Sequence, residues 1–247
     1  MNQANIVRTL IKRGNELFNK PFEAGDFTGN KDANDLLNDL ARFPHAYVLA
    51  CLMDRKVKAE RAWIIPYRIS QELGGFEFQR LLKADSDNIT NIFKNKGLHI
   101  YNDMMAEIFM SGVKLINDKY EGNASKIWSG NPSSATVVRR FLEFDGAGVK
   151  IATMATNILA RDFKIPLRDR MFIDISPDVQ VKKVFTRIGF IPKDASNDDL
   201  IYCARELYPE YPGIFDLSAW EIGRKWCSNK KPTCNECYLD ADCPKII

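Results

Sequence analysis

Four cysteines crowd the end of the chain and constrain its fold more than any other feature of the sequence. They lie within the last 21 of 247 residues, at Cys227, Cys234, Cys237 and Cys243, with the spacing C-x6-C-x2-C-x5-C. Without a secretory signal, cysteines this close in sequence favour metal ligation over disulfides. Zinc sites of four cysteines usually contain two C-x2-C pairs, whereas only one is present here. The uneven spacing therefore predicts a [4Fe-4S] cluster, with zinc as the alternative.

The loop between the first two of these cysteines is basic. It contains Lys230 and Lys231, which are candidate contacts to a DNA phosphate, although a solvated loop is the alternative interpretation. The other two cysteines, Cys51 and Cys203, stand alone in apolar helical patterns. Only two histidines occur, both far from the four clustered cysteines, which argues against a histidine-based zinc enzyme or a histidine-dependent triad.

Apolar residues recur with helical spacing along most of the chain, and no stretch shows sustained strand alternation. Asp32, for example, is predicted to cap a helix that carries Leu36, Leu37 and Leu40. The sequence thus predicts an all-α fold. A composition of 45% hydrophobic and 27% charged residues is globular, and no apolar run is long enough to span a bilayer. Because a signal-peptide core is also absent, we expect a cytoplasmic protein, associated with the nucleoid if the source is prokaryotic.

A glycine-rich turn separates two predicted helices. It reads Phe144-Asp145-Gly146-Ala147-Gly148-Val149-Lys150. Glycines at positions i and i+2 let the backbone turn tightly between helices. They also leave N–H groups at a helix N-terminus, where an anion such as a DNA phosphate is favoured. A plain turn is the alternative for so short a motif.

Lys150 falls in the first turn of the helix that follows. The positive end of the helix dipole and partial burial both disfavour an ammonium ion. The pKa of Lys150 is therefore expected to be depressed, as a nucleophilic amine requires. An exposed helix lysine without a chemical role is the alternative.

Asp178 precedes the clearest local basic patch of the chain. It is well placed as the N-cap of a helix that starts at Val179. Between Val179 and Lys193 there is no acidic residue and there are four basic ones: Lys182, Lys183, Arg187 and Lys193. Because the net charge of the whole chain is only +3, an argument for DNA binding has to rest on such local patches. A structural cap and a solvated helix face are the alternatives.

In their order and spacing, the three motifs resemble the endonuclease III-like branch of the helix-hairpin-helix (HhH-GPD) DNA glycosylases. In that family a hairpin L-P-G-V-G-x-K is followed by V-D-T-H-x-x-R-V and then by C-x6-C-x2-C-x5-C. The cysteine spacing here is identical, and the resemblance runs from the helix at His45 to Cys243. It implies a two-lobed fold: a helical barrel with the hairpin at residues 41–172, and a discontinuous iron–sulfur domain at residues 1–40 and 173–247.

The resemblance implies a base-excision repair enzyme, a bifunctional DNA N-glycosylase and AP lyase, acting as a monomer on double-stranded DNA with a damaged base or abasic site. Lys150 matches the lysine that attacks C1′ and forms a Schiff base before β-elimination. Asp178 matches the aspartate that takes a proton from the lysine and stabilises the positive sugar. The two side chains should face each other from different lobes, several Å apart. The hairpin amides at Gly146, Ala147 and Gly148 would hold a phosphate.

The departures from the family pattern lie close to base recognition. The hairpin proline of the family is Asp145 here, and the histidine after the motif aspartate is Gln180. Lys56 or Arg55 takes the place of a glutamine that reaches into the duplex. The lesion is therefore left open. The competing hypotheses are a monofunctional glycosylase, a non-catalytic iron–sulfur DNA-binding module and a zinc-stabilised helical interaction domain.

Overall fold

The computed structural model describes residues 3–246. This part of the chain contains no β-strand, so the predicted all-α fold is confirmed. Its α-helices are α1 (Gln3–Asn19), α2 (Lys31–Asn38), α3 (Pro44–Met53), α4 (Ala59–Trp63), α5 (Ile65–Leu73), α6 (Phe78–Leu82), α7 (Ser86–Lys96), α8 (Asn102–Tyr120), α9 (Ser134–Phe141), α10 (Val149–Arg161), α11 (Val179–Arg187), α12 (Asn197–Leu207) and α13 (Phe215–Lys225). Short 3-10 helices occur at Ala124–Ile127, Pro212–Ile214 and Cys234–Glu236.

Short polar side chains begin several of these helices. Ser133 caps α9 and Asp178 caps α11, each by accepting a backbone N–H of the following turn. The predicted cap of α2 is wrong, because Asn30 accepts the N–H of Ala33 and Asp32 lies inside the first turn. The helix begins earlier than the apolar pattern indicates, since its first residues are polar and exposed.

Two hydrophobic clusters form the interior of the described chain. The first surrounds α3, in which all ten residues are buried, and draws apolar side chains from Leu37 through Leu159. The second joins Ile6 and Leu10 of α1 to apolar side chains from Ala160 through Leu239. The N-terminal helix thus packs with the C-terminal helices. The division into domains at residues 40/41 and 172/173 stays a prediction.

Helix α10 runs from one cluster to the other. Most of its buried apolar residues pack in the first cluster, whereas Ala160 packs in the second. At its middle, Asn157 is buried, donates a hydrogen bond to the Gly213 carbonyl at 2.9 Å and accepts one from the Tyr211 hydroxyl. These bonds tie α10 to the segment between α12 and α13, and Lys150 lies in the first turn of α10. Among residues 3–246, no helix has both the length and the apolar character needed to cross a membrane.

Candidate active site

The turn between α9 and α10 uses its two glycines in different ways. Gly146 has a φ of 78°, and a Cβ there would lie 2.8 Å from Cδ1 of Ile108. Gly148 is the N-cap of α10 in an extended conformation, and a Cβ there would meet no atom within 4 Å. The N–H of Ala147 already donates to the carbonyl of Phe144 at 3.0 Å. Gly146 therefore closes the turn, while Gly148 keeps the N-terminus of α10 open to a ligand.

Lys150 lies between two carboxylates. Its Nζ donates a hydrogen bond to Oδ2 of Asp54 at 3.2 Å and lies 3.5 Å from Oδ2 of Asp178. The exposed fractions of the three side chains are 32% for Lys150, 23% for Asp178 and 9% for Asp54. The structure thus brings Lys150 and Asp178 to the expected separation, and it adds a second, more deeply buried carboxylate.

Three helix ends meet at this site. Helix α3 is buried throughout and ends at Met53, and the charged residue Asp54 follows as its C-cap. The hydroxyl of Tyr47 donates to the carbonyl of Ala155 at 2.7 Å, which fixes α3 against α10. The hydroxyl of Ser176 donates to the Lys150 carbonyl at 3.3 Å, which holds the segment before α11 against the start of α10. Local packing therefore places Asp54, Lys150 and Asp178 together.

The charge state of this trio differs from the sequence prediction. Burial alone lowers the pKa of Lys150, but Asp54 and Asp178 outweigh it and raise that pKa above its usual value. The predicted depression of the pKa is therefore wrong for the free protein. Burial also raises the pKa of Asp54, although the ammonium of Lys150 opposes this shift. The lysine rests as an ammonium ion, so a nucleophilic role requires that it first transfer a proton.

Asp54 is the residue at this site that sequence reasoning missed. It stands in the segment compared with the family's duplex-inserting helix end, where Arg55 and Lys56 are the predicted contacts. A usable signal existed, because Asp54 is the first polar residue after the uninterrupted apolar run from Tyr47 to Met53. A carboxylate that directly follows a buried apolar helix lies at the edge of the hydrophobic core.

Lys56 lies in the loop that follows α3. It is exposed, has a φ of 55°, and its Nζ lies 5.9 Å from the centre of the exposed Tyr101 ring. The loop is anchored because the buried His99 ring, through Nε2, contacts the carbonyl of Arg55 at 3.0 Å. Lys56 is thus presented on a fixed loop beside an aromatic side chain, and its insertion into a duplex remains a proposal.

The basic residues of α11 fall into different environments. Lys182 is half-buried, whereas Lys183 donates to Oε1 of Gln180 at 2.6 Å and to the carbonyl of Gly223 at 2.9 Å. Burial lowers the pKa of Lys183. Lys183 therefore links α11 to α13, and its ammonium is engaged within the protein. Lys230 and Lys231 are exposed in the cysteine loop.

The four clustered cysteines are free thiols that line one cavity. The rest of its wall combines apolar side chains, among them Val184, Ile188, Ile222 and Leu239, with the charged residues Arg187, Asp240 and Lys245. The guanidinium of Arg187 donates to Sγ of Cys227 at 3.3 Å.

This arrangement bears on which metal centre the thiols could hold. Among residues 3–246, no group of three or more His, Cys, Asp and Glu side chains is arranged closely enough to hold a metal ion. Zinc would need all four sulfurs about 2.3 Å from one point, whereas a cubane cluster takes one thiolate on each of four separated irons. Four thiols around one cavity are the donor set that an iron–sulfur cluster requires.

Comparison with known proteins finds two distant relatives by sequence, while no protein-family model matches the chain. Endonuclease III of Thermotoga maritima is 25% identical over 187 residues, which cover 75% of this chain and 73% of that protein. DEMETER-like protein 2 of Arabidopsis thaliana is 21% identical over 194 residues, which cover 71% of this chain and only 14% of that protein.

Solved structures match over nearly the whole chain. A trapped covalent intermediate of endonuclease III with DNA has a TM-score of 0.63 at 16% identity, covering 98% of this chain and 95% of that chain. A non-covalent endonuclease III–DNA complex, with the same identity and coverage, has a TM-score of 0.64. A thermostable thymine-DNA glycosylase has a TM-score of 0.64 at 14% identity, covering 99% of this chain and 98% of that chain. At these identities the likeness establishes a shared fold.

Proposed function

Because the chain has the helix-hairpin-helix DNA glycosylase fold of endonuclease III, we propose that it is a base-excision repair enzyme, a bifunctional DNA N-glycosylase and AP lyase. The observation that carries this proposal is the position of Lys150 at the N-terminus of α10, with its Nζ 3.5 Å from Oδ2 of Asp178. A lysine between carboxylates beside an open helix N-terminus combines a nucleophile, a charge stabiliser and a phosphate site. A module that only bound DNA would need neither the lysine nor the aspartate.

The reaction begins when the damaged nucleotide leaves the base stack, which costs a few kcal/mol. The neutral amine of Lys150 attacks C1′, and the glycosidic bond breaks with its electron pair going to the departing base. Asp178 stabilises the positive charge that develops on the sugar. Nζ then loses a proton, and its lone pair breaks the C1′–O4′ bond; O4′ takes up a proton as the sugar ring opens, which gives a Schiff base between Nζ and C1′. The Schiff base activates a proton on C2′, and loss of that proton with the 3′-phosphate as leaving group nicks the strand by β-elimination.

Contacts to the duplex would come from the surface around this site. The backbone amides at Gly146 and Gly148 would bind a phosphate at the start of α10. Exposed lysines at 56, 230 and 231, and the half-buried Lys182, would add charge along the path of the DNA. Ala147 and Lys183 contribute less to this surface than the sequence predicts, because the amide of one and the ammonium of the other already donate within the protein.

Cys227, Cys234, Cys237 and Cys243 would hold a [4Fe-4S] cluster, whose role here is structural and DNA-positioning. The support is the shared cavity and the donor set of four thiols. The loop between the first two ligands would then be held rigidly, and with it Lys230 and Lys231. We further propose a monomeric, cytoplasmic or nucleoid-associated protein with lobes at residues 41–172 and at 1–40 with 173–247.

Reductive trapping tests the proposed function. The protein is incubated with a duplex that contains an abasic site, and borohydride is added. A covalent adduct with the wild type that is lost in Lys150→Gln is the expected result, because only an imine is reduced to a stable link. Circular dichroism checks that the variant is folded, since the substitution leaves Asp54 without its ion-pair partner. No adduct from a folded, DNA-binding wild type would refute the lyase.

A monofunctional glycosylase is the second candidate, because the fold is shared with a thymine-DNA glycosylase. Duplexes with an oxidised pyrimidine, an oxidised purine, mismatched thymine or uracil would separate the two. Base release with a nick after the enzyme alone supports the bifunctional enzyme, whereas base release that leaves an intact abasic strand supports the monofunctional one.

A further inference from the structure

Lys150 has to lose a proton before it can attack C1′, and two carboxylates compete to receive it. We propose that Asp54 accepts this proton and that Asp178 is left to stabilise the sugar. The inference rests on the proposed function. It assigns to the buried Asp54 the proton transfer that the family resemblance assigns to Asp178.

Geometry favours Asp54. A general base has to lie within hydrogen-bonding reach of the proton, about 2.6–3.2 Å between heavy atoms. Oδ2 of Asp54 meets this condition at 3.2 Å and accepts a hydrogen bond from Nζ, while Oδ2 of Asp178 lies at 3.5 Å. Asp178 also has another task, because its Oδ1 accepts the N–H of Gln180 at 2.8 Å and caps α11.

The surroundings of the two carboxylates point the same way. Asp54 lies at the end of the fully buried α3, with only 9% of its side chain exposed. Moving a proton from Nζ to Oδ2 converts an ammonium–carboxylate pair into an amine and a carboxylic acid, which a water-poor environment favours. Asp178 is more exposed to water, with 23% of its side chain accessible. Asp54 is thus the carboxylate that is placed to become neutral.

The proton transfer balances within the pair. The N–H bond breaks with its electrons remaining on Nζ, and an O–H bond forms on Asp54. The amine then has the lone pair that forms the bond to C1′. The net charge of the trio stays at −1 throughout this transfer, because one positive and one negative charge disappear together.

Asp54→Asn tests the assignment, because the amide keeps the shape and one acceptor oxygen but cannot take the proton. Schiff-base formation is measured as the initial rate of borohydride trapping on a preformed abasic site at neutral pH. A loss on the order of 100-fold is expected, as for removal of a general base. Binding to a duplex with a reduced abasic analogue should be at least as tight as for the wild type.

Unchanged or faster trapping by Asp54→Asn would contradict the assignment of the proton to Asp54. If Asp54 only stabilised the ammonium, its neutralisation would favour the free amine, and Asp54→Asn would trap as fast as the wild type or faster. That result overturns the proposal while leaving the lyase intact. No trapping by the wild type would instead overturn the proposed function and this inference with it.

Three further variants serve as controls for the test of Asp54. Asp178→Asn should slow base release from a damaged duplex more than it slows trapping at a preformed abasic site. Asp35→Asn, on the exposed face of α2, controls for the loss of a surface carboxylate and should trap like the wild type. The folding of Asp54→Asn is checked by thermal unfolding, and Asp54→Glu, which restores the base, should recover part of the rate.

The pH dependence of the trapping rate distinguishes a proton-accepting role of Asp54 from a purely structural one. The charged groups that face Asp54 are Lys150, Asp178 and Glu60, the last of which is paired with Arg224 at 2.7 Å. At higher pH the solvent removes the proton from Lys150 without help, so the deficit of Asp54→Asn should shrink as the pH rises. A deficit that is constant over the whole series contradicts a proton-accepting role.

Discussion

The two hairpin glycines allow a paired test of what the turn between α9 and α10 does. In Gly146→Ala the new side chain has to adopt a φ of 78° and faces Cδ1 of Ile108 at 2.8 Å. The left-handed backbone costs about 1–2 kcal/mol. The contact is with the end of a flexible side chain, so moving Ile108 off its rotamer adds only about 0.5–1.5 kcal/mol. We expect a loss of stability of about 2–3 kcal/mol, which lowers Tm by roughly 5–10 °C in a chain of this size.

Gly148→Ala is the matched control. Its backbone is extended and no atom lies within 4 Å of the new Cβ. The small cost of alanine at an N-cap and the gain from a less flexible unfolded chain nearly cancel, so stability should change by less than about 0.5 kcal/mol. The methyl group does, however, obstruct the open N-terminus of α10. Loss of one charge-assisted hydrogen bond to phosphate should weaken binding to an abasic-analogue duplex about tenfold.

Thermal unfolding followed by far-UV circular dichroism gives the stabilities, and fluorescence anisotropy with a labelled duplex gives the affinities. The reasoning is refuted if Gly148→Ala unfolds at as low a temperature as Gly146→Ala, because the steric and backbone arguments then fail. It is equally refuted if Gly148→Ala is stable and binds the duplex like the wild type, because the phosphate then does not approach this helix end.

Three other predictions concern the rest of the molecule. Burial raises the pKa of Asp216 to about 7, above the value of 3.8 in the unfolded chain. Asp216 therefore favours the folded state below pH 3.8, and this contribution is lost as the pH rises to about 7. When the free energy of unfolding is measured against pH, Asp216→Asn should remove this part of the pH dependence. Cys237→Ser should abolish visible absorption and bound iron, while Cys203→Ser, outside the cysteine cavity, should retain both. Lys231→Ala should reduce the slope of log K for DNA binding against log salt concentration by about one unit. Lys183→Ala should instead lower Tm, because the ammonium of Lys183 bonds within the protein.

Local signals in the sequence predicted local structure well. The all-helical fold follows from apolar spacing, and the cap at Asp178 follows from a short polar side chain before an apolar run. Of the two glycines identified in the turn, Gly146 is the one that the backbone requires, because its φ is 78°. The failure at α2 is also local: Asn30 and Asp32 are both competent caps, and the periodicity of the apolar residues does not choose between them.

The candidate site depended on contacts that span the chain. Asp54 and Lys150 are 96 positions apart, so no spacing in the sequence indicates that they touch. For the same reason the expected direction of the Lys150 pKa was wrong. The sequence showed the helix dipole and partial burial, which lower it, but not the two carboxylates that the fold brings against the ammonium. The bond from Lys183 to the carbonyl of Gly223 could not be predicted for the same reason, because Gly223 lies on another helix.

The charges at the site imply that DNA affinity and catalysis rest on different groups. Asp54, Asp178 and Lys150 together carry a net charge of −1, which repels the DNA backbone but suits a sugar that becomes positive during the reaction. Phosphate binding therefore has to come from the open end of α10 and from exposed lysines outside the trio. It follows that Asp178→Asn should bind an abasic-analogue duplex more tightly than the wild type while releasing a damaged base more slowly. Parallel losses of affinity and rate would contradict this separation, because they would place Asp178 among the groups that hold the DNA.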